Sequence, residues 1–296
     1  MRYFSITLVL ALFLPGCDAA PATPAQALPT STTVLIEPTA LPTEAAASPS
    51  PEVALDEVAI AFEENGIQLA FDPSMTSELT AETIPASSAT AEGMPPEGIY
   101  PAYRQLTLDG YPAEYTRNKP QLFVYPVEEF AALNPSAAET IAQLQQLLAE
   151  EPATPNTIPL LPLFNAAQVI RAQVEYLPFQ NGRGVRFLTQ YDQSPYPIHN
   201  RALFYTFQGL TDDGAYYVAA ILPISASFLS DSADSEQLDP DQGFPSLDSE
   251  AFGEALTTYF GTITQTLNNT SSSDFTPTLT LLDAMVQSIA ISPPTE

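Results

Sequence analysis

The chain of 296 residues sets 35 acidic against 8 basic side chains, a formal net charge of −27, and contains one histidine and one cysteine. A field of that sign repels phosphate backbones, so nucleic acid is excluded as a partner; one cysteine excludes intramolecular disulfides and CxxC chemistry, and one imidazole excludes an HExxH zinc site. With 45% hydrophobic residues the chain has the apolar material for a core.

At the amino terminus Arg2 precedes an apolar run, Ile6 to Leu14, which leads into Leu14-Pro15-Gly16-Cys17. The run is roughly half the ~20 residues that a spanning helix needs, so residues 1–16 read as a cleaved secretory signal. LPGC resembles the lipobox of bacterial lipoproteins, in which a cysteine after a small residue is acylated and becomes the new amino terminus; Pro15 departs from the small residue usual there. The resemblance implies lipidation at Cys17 and a membrane-anchored product facing outside the cytoplasm. Each buried methylene of the acyl chains would contribute about 0.8 kcal/mol. Residues 17–51 are Pro, Ala, Thr and Ser with little periodicity, the composition of a disordered tether.

Residues 52–296 are expected to form a single α+β domain. Ile60 and Phe62, the Asn65-Gly66 pair, and Ile67, Leu69 and Phe71 predict a hairpin. From Pro73 to Pro101 there is little pattern, and a surface excursion is expected. Strands are predicted at Tyr103–Leu108 and Gln121–Tyr125. Asn134 and Pro135 then supply an N-cap and first turn for a helix to Glu150, with Ile141, Leu144 and Leu148 at helical spacing. Alternation from Val169 to Tyr176 and from Val185 to Tyr191 around Asn181-Gly182 predicts a second hairpin. A third, Leu203–Leu210 with Tyr216–Leu222 around Asp213-Gly214, is apolar on nearly every residue and is expected at the centre of the sheet. Beyond the acidic stretch Asp231–Gly243, the spacing of Phe252, Leu256, Tyr259, Phe260, Ile263 and Leu267 predicts a helix from about Asp248, and Thr276-Pro277 starts another. This order implies a largely antiparallel sheet built from hairpins and covered by helices.

No motif in the chain carries chemistry by itself. The one lysine, Lys119, lies outside any phosphate-binding loop, and Gly182-Arg183-Gly184 lacks the third glycine and the strand-to-helix setting of a dinucleotide loop. His199 beside Ser194 would be the material of a hydrolytic pair, although its Pro-rich surroundings read as a connection between hairpins. Asp231, Asp234, Glu236, Asp239 and Asp241 supply oxygens for calcium but not at EF-hand spacing. No cofactor is expected. The reading is a non-enzymatic binding or envelope-associated module; the alternative is an extracytoplasmic hydrolase using carboxylates or the Ser and His pair.

The segments NGRGVRFLTQY and LFYTFQGLTDDGAYYVAAILP resemble a group of lipoproteins from filamentous and photosynthetic bacteria, a likeness that implies no particular activity. The short strand ending in Phe71-Asp72-Pro73, the meander and the carboxyl-terminal helix are more loosely similar to the layered fold of PsbP-like lipoproteins. Seven of the eight bases lie between residues 104 and 201. Pairing about Asn181-Gly182 would set Arg171 opposite Asp192. Arg183, Arg186 and Tyr191 near that hairpin are the candidate binding face for an acidic protein or small polar partner.

Overall fold

The computed structural model describes residues 59–87, 94–115, 118–233, 243–246 and 248–294. Signal, tether and Cys17 lie outside them, as do Asp234, Glu236, Asp239 and Asp241 of the acidic stretch. Asn65 and Gly66 take φ of 51° and 72°, the left-handed pair that a two-residue hairpin turn requires. They join β1 (Ile60–Glu64) to β2 (Ile67–Phe71), whose alternation buries Ile67, Leu69 and Phe71.

There follow β3 (Glu78–Ile84), β4 (Tyr103–Asp109), β5 (Gln121–Pro126), α1 (Val127–Leu133) and α2 (Pro135–Glu150). Next come β6 (Ala167–Gln168), β7 (Ala172–Phe179), β8 (Gly182–Thr189), β9 (Tyr191–Asp192), β10 (Phe204–Thr211), β11 (Tyr216–Pro223) and β12 (Ser225–Ala226). The chain ends on α3 (Phe252–Asn269), β13 (Phe275–Thr276), α4 (Leu279–Gln287) and β14 (Ala290–Ile291).

Seven strands form one antiparallel sheet in the order β3-β4-β5-β11-β10-β8-β7. This is the α+β architecture expected from the hairpin order. Every residue of β10 is buried, and β10 and β11 hold the interior of the sheet, as strands covered on both faces must. One face, with Leu106, Val218, Phe207 and Leu188, packs under α3, α4 and the small sheet β1-β2-β14. The other, with Phe123, Tyr217, Phe187 and Phe204, packs under α2, Phe130 of α1 and the Pro-broken segment holding Ile158, Leu160 and Leu161.

The helix after Asn134 lies where its cap places it. Asn134 Oδ1 accepts from the N–H groups of Ser136 (3.0 Å) and Ala137 (3.3 Å), and Nδ2 donates to the carbonyls of Pro96 (2.8 Å) and Ile99 (2.9 Å). One buried amide thus caps α2 and pins the chain that leads into β4. Asn134→Ala is expected to lower stability by about 2 kcal/mol, combining a lost cap with the loss of an amide donor to two carbonyls, of which that of Pro96 keeps the Ile99 N–H. Urea unfolding checks it, and a loss within experimental error would show the cap to be dispensable.

Four local expectations are corrected. The excursion between Pro73 and Pro101 contains β3, an edge strand whose Thr, Ala and Glu leave only a faint alternation because one side of it has no neighbour. In the second hairpin β7 begins at Ala172 and not Val169, and the turn residues are Gln180 and Asn181, since Phe179 pairs with Gly182. A bulge between Ala172 and Glu175, with Gln173 at φ 53°, then changes which side chains face each way. Asp192 pairs with Ala167, not with Arg171. α3 starts at Phe252 and α4 at Leu279, the latter capped by Thr278 accepting from Leu281 N–H.

Candidate functional site

Strand geometry separates the three residues expected to share a binding face. Residues 183 and 186 are an odd number apart on β8 and project to opposite sides of the sheet. Arg183 is exposed and stands 3.4 Å from Glu151 Oε1 in a solvent-screened pair. Arg186 is buried beneath α4, its side chain 6% exposed. Tyr191 packs edge-on against Phe164 (5.0 Å between centroids) and accepts a 3.0 Å hydrogen bond from Gln168 Nε2; burial pushes its phenol up to about 12. The structure therefore does not bring Arg183, Arg186 and Tyr191 together.

Arg186 belongs to an internal network. Its Nη2 pairs with Glu175, its Nη1 donates to the carbonyl of Gln173, and its Nε lies 3.2 Å from Asp283 Oδ1 without the alignment of a hydrogen bond. The fully buried Tyr205 donates to the same Asp283 oxygen at 2.9 Å. Burial raises the Asp283 carboxyl above its ordinary value, partly offset by the Arg186 guanidinium and the Tyr205 hydroxyl. A second internal cation, Arg104, donates through Nη1 to the carbonyls of Asn65 (2.8 Å) and Ser292 (2.7 Å) and stacks 4.7 Å over the Tyr216 ring. It clasps the first hairpin to the carboxyl-terminal strand. Both arginines tie elements together inside the fold.

His199 is half-buried in the connection between β9 and β10. Its Nδ1 lies 3.4 Å from the carbonyl of Asp231, and its N–H donates to Gln190 Oε1 at 3.2 Å, while Ser194 is exposed. Gly182 and Gly184 lie in β8, where Phe179 and Phe207 cover them. Among the described residues no group of three His, Cys, Asp or Glu side chains is placed to hold a metal, and no helix is long and apolar enough to cross a membrane.

An open groove of about 370 Å³ lies between α3 and the segment leading into β7. Val169, Ile170 and Arg171 form one wall; Phe260, Gly261, Thr264, Gln265 and Asn268 of α3 form the other. The walls are fastened at one end by the bulge. Asn268 Oδ1 accepts from Gln173 N–H at 2.6 Å, and Gln173 Nε2 donates to the carbonyls of Leu267 (2.8 Å) and Thr270 (3.0 Å), closing the last turn of α3. Gln173 is also the residue whose carbonyl Arg186 holds, so the groove is braced by the buried network. A second groove, of about 500 Å³, runs along the other flank of α3 beside Gly243, with Glu254 its one charged lining residue. The first is the better candidate, because its walls come from two elements locked together by hydrogen bonds.

Comparison of the chain with models of known protein families, with curated proteins and with solved structures returns no match. The functional reading therefore comes from the chain's own residues. The groove escaped sequence reasoning because its walls are about 90 residues apart; the local signal was Gly261, a glycine in the middle of an amphipathic helix.

Proposed function

We propose that the chain is an extracytoplasmic lipoprotein, anchored to a membrane by lipid on Cys17, whose α+β domain binds a small ligand or partner and performs no reaction of its own. The groove beside α3 carries this reading. Its lining combines apolar side chains with Arg, Thr, Gln and Asn, and contains no carboxylate, imidazole or thiol to serve as acid, base or nucleophile. The LPGC motif and the Pro/Ala/Thr-rich stretch to residue 51 support the anchored part, as does the likeness to lipoproteins, PsbP-like ones among them. Acidity of the whole chain supports a free-standing surface module that avoids nonspecific contact.

Two measurements test it. The wild-type chain expressed in a bacterial host is expected to incorporate labelled fatty acid and sediment with membranes, whereas Cys17→Ser does neither; unlabelled, freely soluble wild type would refute the anchor. A ligand that binds only the native state raises the melting temperature, and Gly261→Trp, which fills the groove, should cancel such a shift. An esterase, glycosidase or peptidase activity lost with His199→Ala would replace this reading by the hydrolytic one.

A further inference from the structure

We infer that the groove between α3 and residues 169–171 is a site for a small organic carboxylate, with Arg171 as the group that takes its charge. The inference rests on the binding-module reading and names its ligand class. Arg171 is the one charged residue lining the groove, and its Nη1 donates at 3.2 Å to the neutral Gln168 Oε1. The ion pairs among the described residues use Arg183, Arg186 and Arg201 but not Arg171. Arg104 and Lys119 also stand outside those ion pairs, and of these three cations only Arg171 lines either groove. The general negative field does not bar an anion there, because charges beyond about 8 Å are screened at physiological salt.

The neutral groups beside Arg171 are set to donate. Four of the five threonines within α3, Thr257, Thr258, Thr262 and Thr266, return their hydroxyls to the carbonyl four residues earlier. Thr264, the fifth, makes no such bond, and it is the one that lines this groove. Asn268 spends its Oδ1 on Gln173 N–H, which leaves its Nδ2 as a donor. An ionised carboxylate accepts and never donates, so it suits an Arg, a hydroxyl and an amide NH₂ in one place. Val169 and Phe260, both part-exposed, offer apolar surface for a short hydrocarbon portion.

Gly261 is the third feature. Glycine inside a helix costs about 1 kcal/mol against alanine, and a Cβ at Gly261 would meet nothing within 4 Å, so packing does not require the bare backbone. Its absence of side chain widens the groove where Phe260 and Thr264 border it. Gly253, near the start of the same helix, is equally open, but only Gly261 borders the groove.

The test uses the full-length Cys17→Ser chain, titrated calorimetrically with octanoate, with octanamide as its uncharged counterpart and with inorganic phosphate. Octanoate is expected to bind at least about tenfold more tightly than octanamide, the difference a charged hydrogen-bond partner makes, and phosphate, lacking the hydrocarbon, to bind undetectably. Arg171→Gln should erase the preference for octanoate without changing octanamide affinity, Arg171→Lys should restore part of it, and Gly261→Trp should abolish binding of both. Circular dichroism and melting curves confirm that each variant is folded. Equal affinity for octanoate and octanamide, both blocked by Gly261→Trp, would overturn the carboxylate inference and leave the groove as a binding site. Binding of octanoate untouched by Gly261→Trp would overturn the groove reading itself.

Discussion

Arg186→Met is expected to cost about 3–5 kcal/mol at pH 7, because it leaves a buried carboxylate without its cation. Four elements meet around that cation: Glu175 of β7, Arg186 of β8, Tyr205 of β10 and Asp283 of α4. Methionine fills much of the volume of the arginine stem, so the loss is electrostatic and polar rather than a cavity. Its signature is in the pH dependence. In the wild type the Asp283 carboxyl already sits above the ordinary value of 3.8, and the Arg186 charge is the largest influence holding it down. Removing that charge raises it further. An acid whose folded value exceeds its unfolded value stabilises the fold fully below the unfolded value, and that contribution is lost as pH rises through the folded one. The deficit of Arg186→Met should therefore be small near pH 3.5 and grow toward neutrality. Adding Asp283→Asn should recover most of the loss at pH 7, since the uncompensated charge is then gone. Thermal melts of the three variants between pH 3.5 and 7.5 check this. A deficit independent of pH, or no recovery in the double variant, would show that packing and not charge holds α4 to the sheet.

This network also explains where reading by periodicity stops. A two-residue period assigns alternate side chains of a strand to opposite faces, and it worked for β2, where hydrogen bonding is regular, while β10 and β11 were read from their continuous apolar run. In β7 the left-handed Gln173 inserts an extra residue, so Glu175 and not Val174 comes opposite the Arg186 position. What stabilises Gln173 in that conformation is Asn268 on α3 and Arg186 on β8, neither of which is near it in sequence. A local pattern cannot contain that information. Arg186 was read as surface for the same reason, its buried partner Asp283 being almost 100 residues downstream. α2 was legible to the residue because cap, Pro at the first turn and apolar spacing all agree within 17 residues, Asn134 to Glu150. β3 and α1 were not, one being a faintly patterned edge and the other a seven-residue helix with a single buried side chain, Phe130.

The candidate site followed the same division. Arg171 was read on a strand and Phe260 on a helix face, while Gly261 was not singled out, and their meeting depends on α3 lying against β7.

Gly184→Val should produce the second large effect, and it turns on why β8 begins Gly-Arg-Gly. A Cβ at Gly184 would lie 2.4 Å from Phe207 Cζ, 2.5 Å from the carbonyl oxygen of Gln208 and 2.7 Å from Gly209 Cα. Phe207 can rotate only into neighbours, since it is fully buried and its ring packs edge-on against Phe179 at 5.9 Å. The other two contacts are backbone, and Gly209 is the cross-strand partner of Gly184. The strands must therefore part for any side chain to enter. Overpacking of this kind costs about 3 kcal/mol or more, which in a domain of this size corresponds to a fall in melting temperature of about 6–12 °C. Gly182 is restricted in the same way, by Phe179 at 2.2 Å and the Leu210 carbonyl at 2.3 Å. Phe207→Leu together with Gly184→Ala removes the ring contact but not the two backbone ones, so it should recover less than half of the Gly184→Ala deficit. The expected order of melting temperatures is wild type, then the Phe207→Leu and Gly184→Ala double variant, then Gly184→Ala, then Gly184→Val. A Gly184→Val chain that melts with the wild type would mean that β8 and β10 separate at little cost, and that the glycines of this strand serve something other than the close approach of two backbones and an aromatic ring.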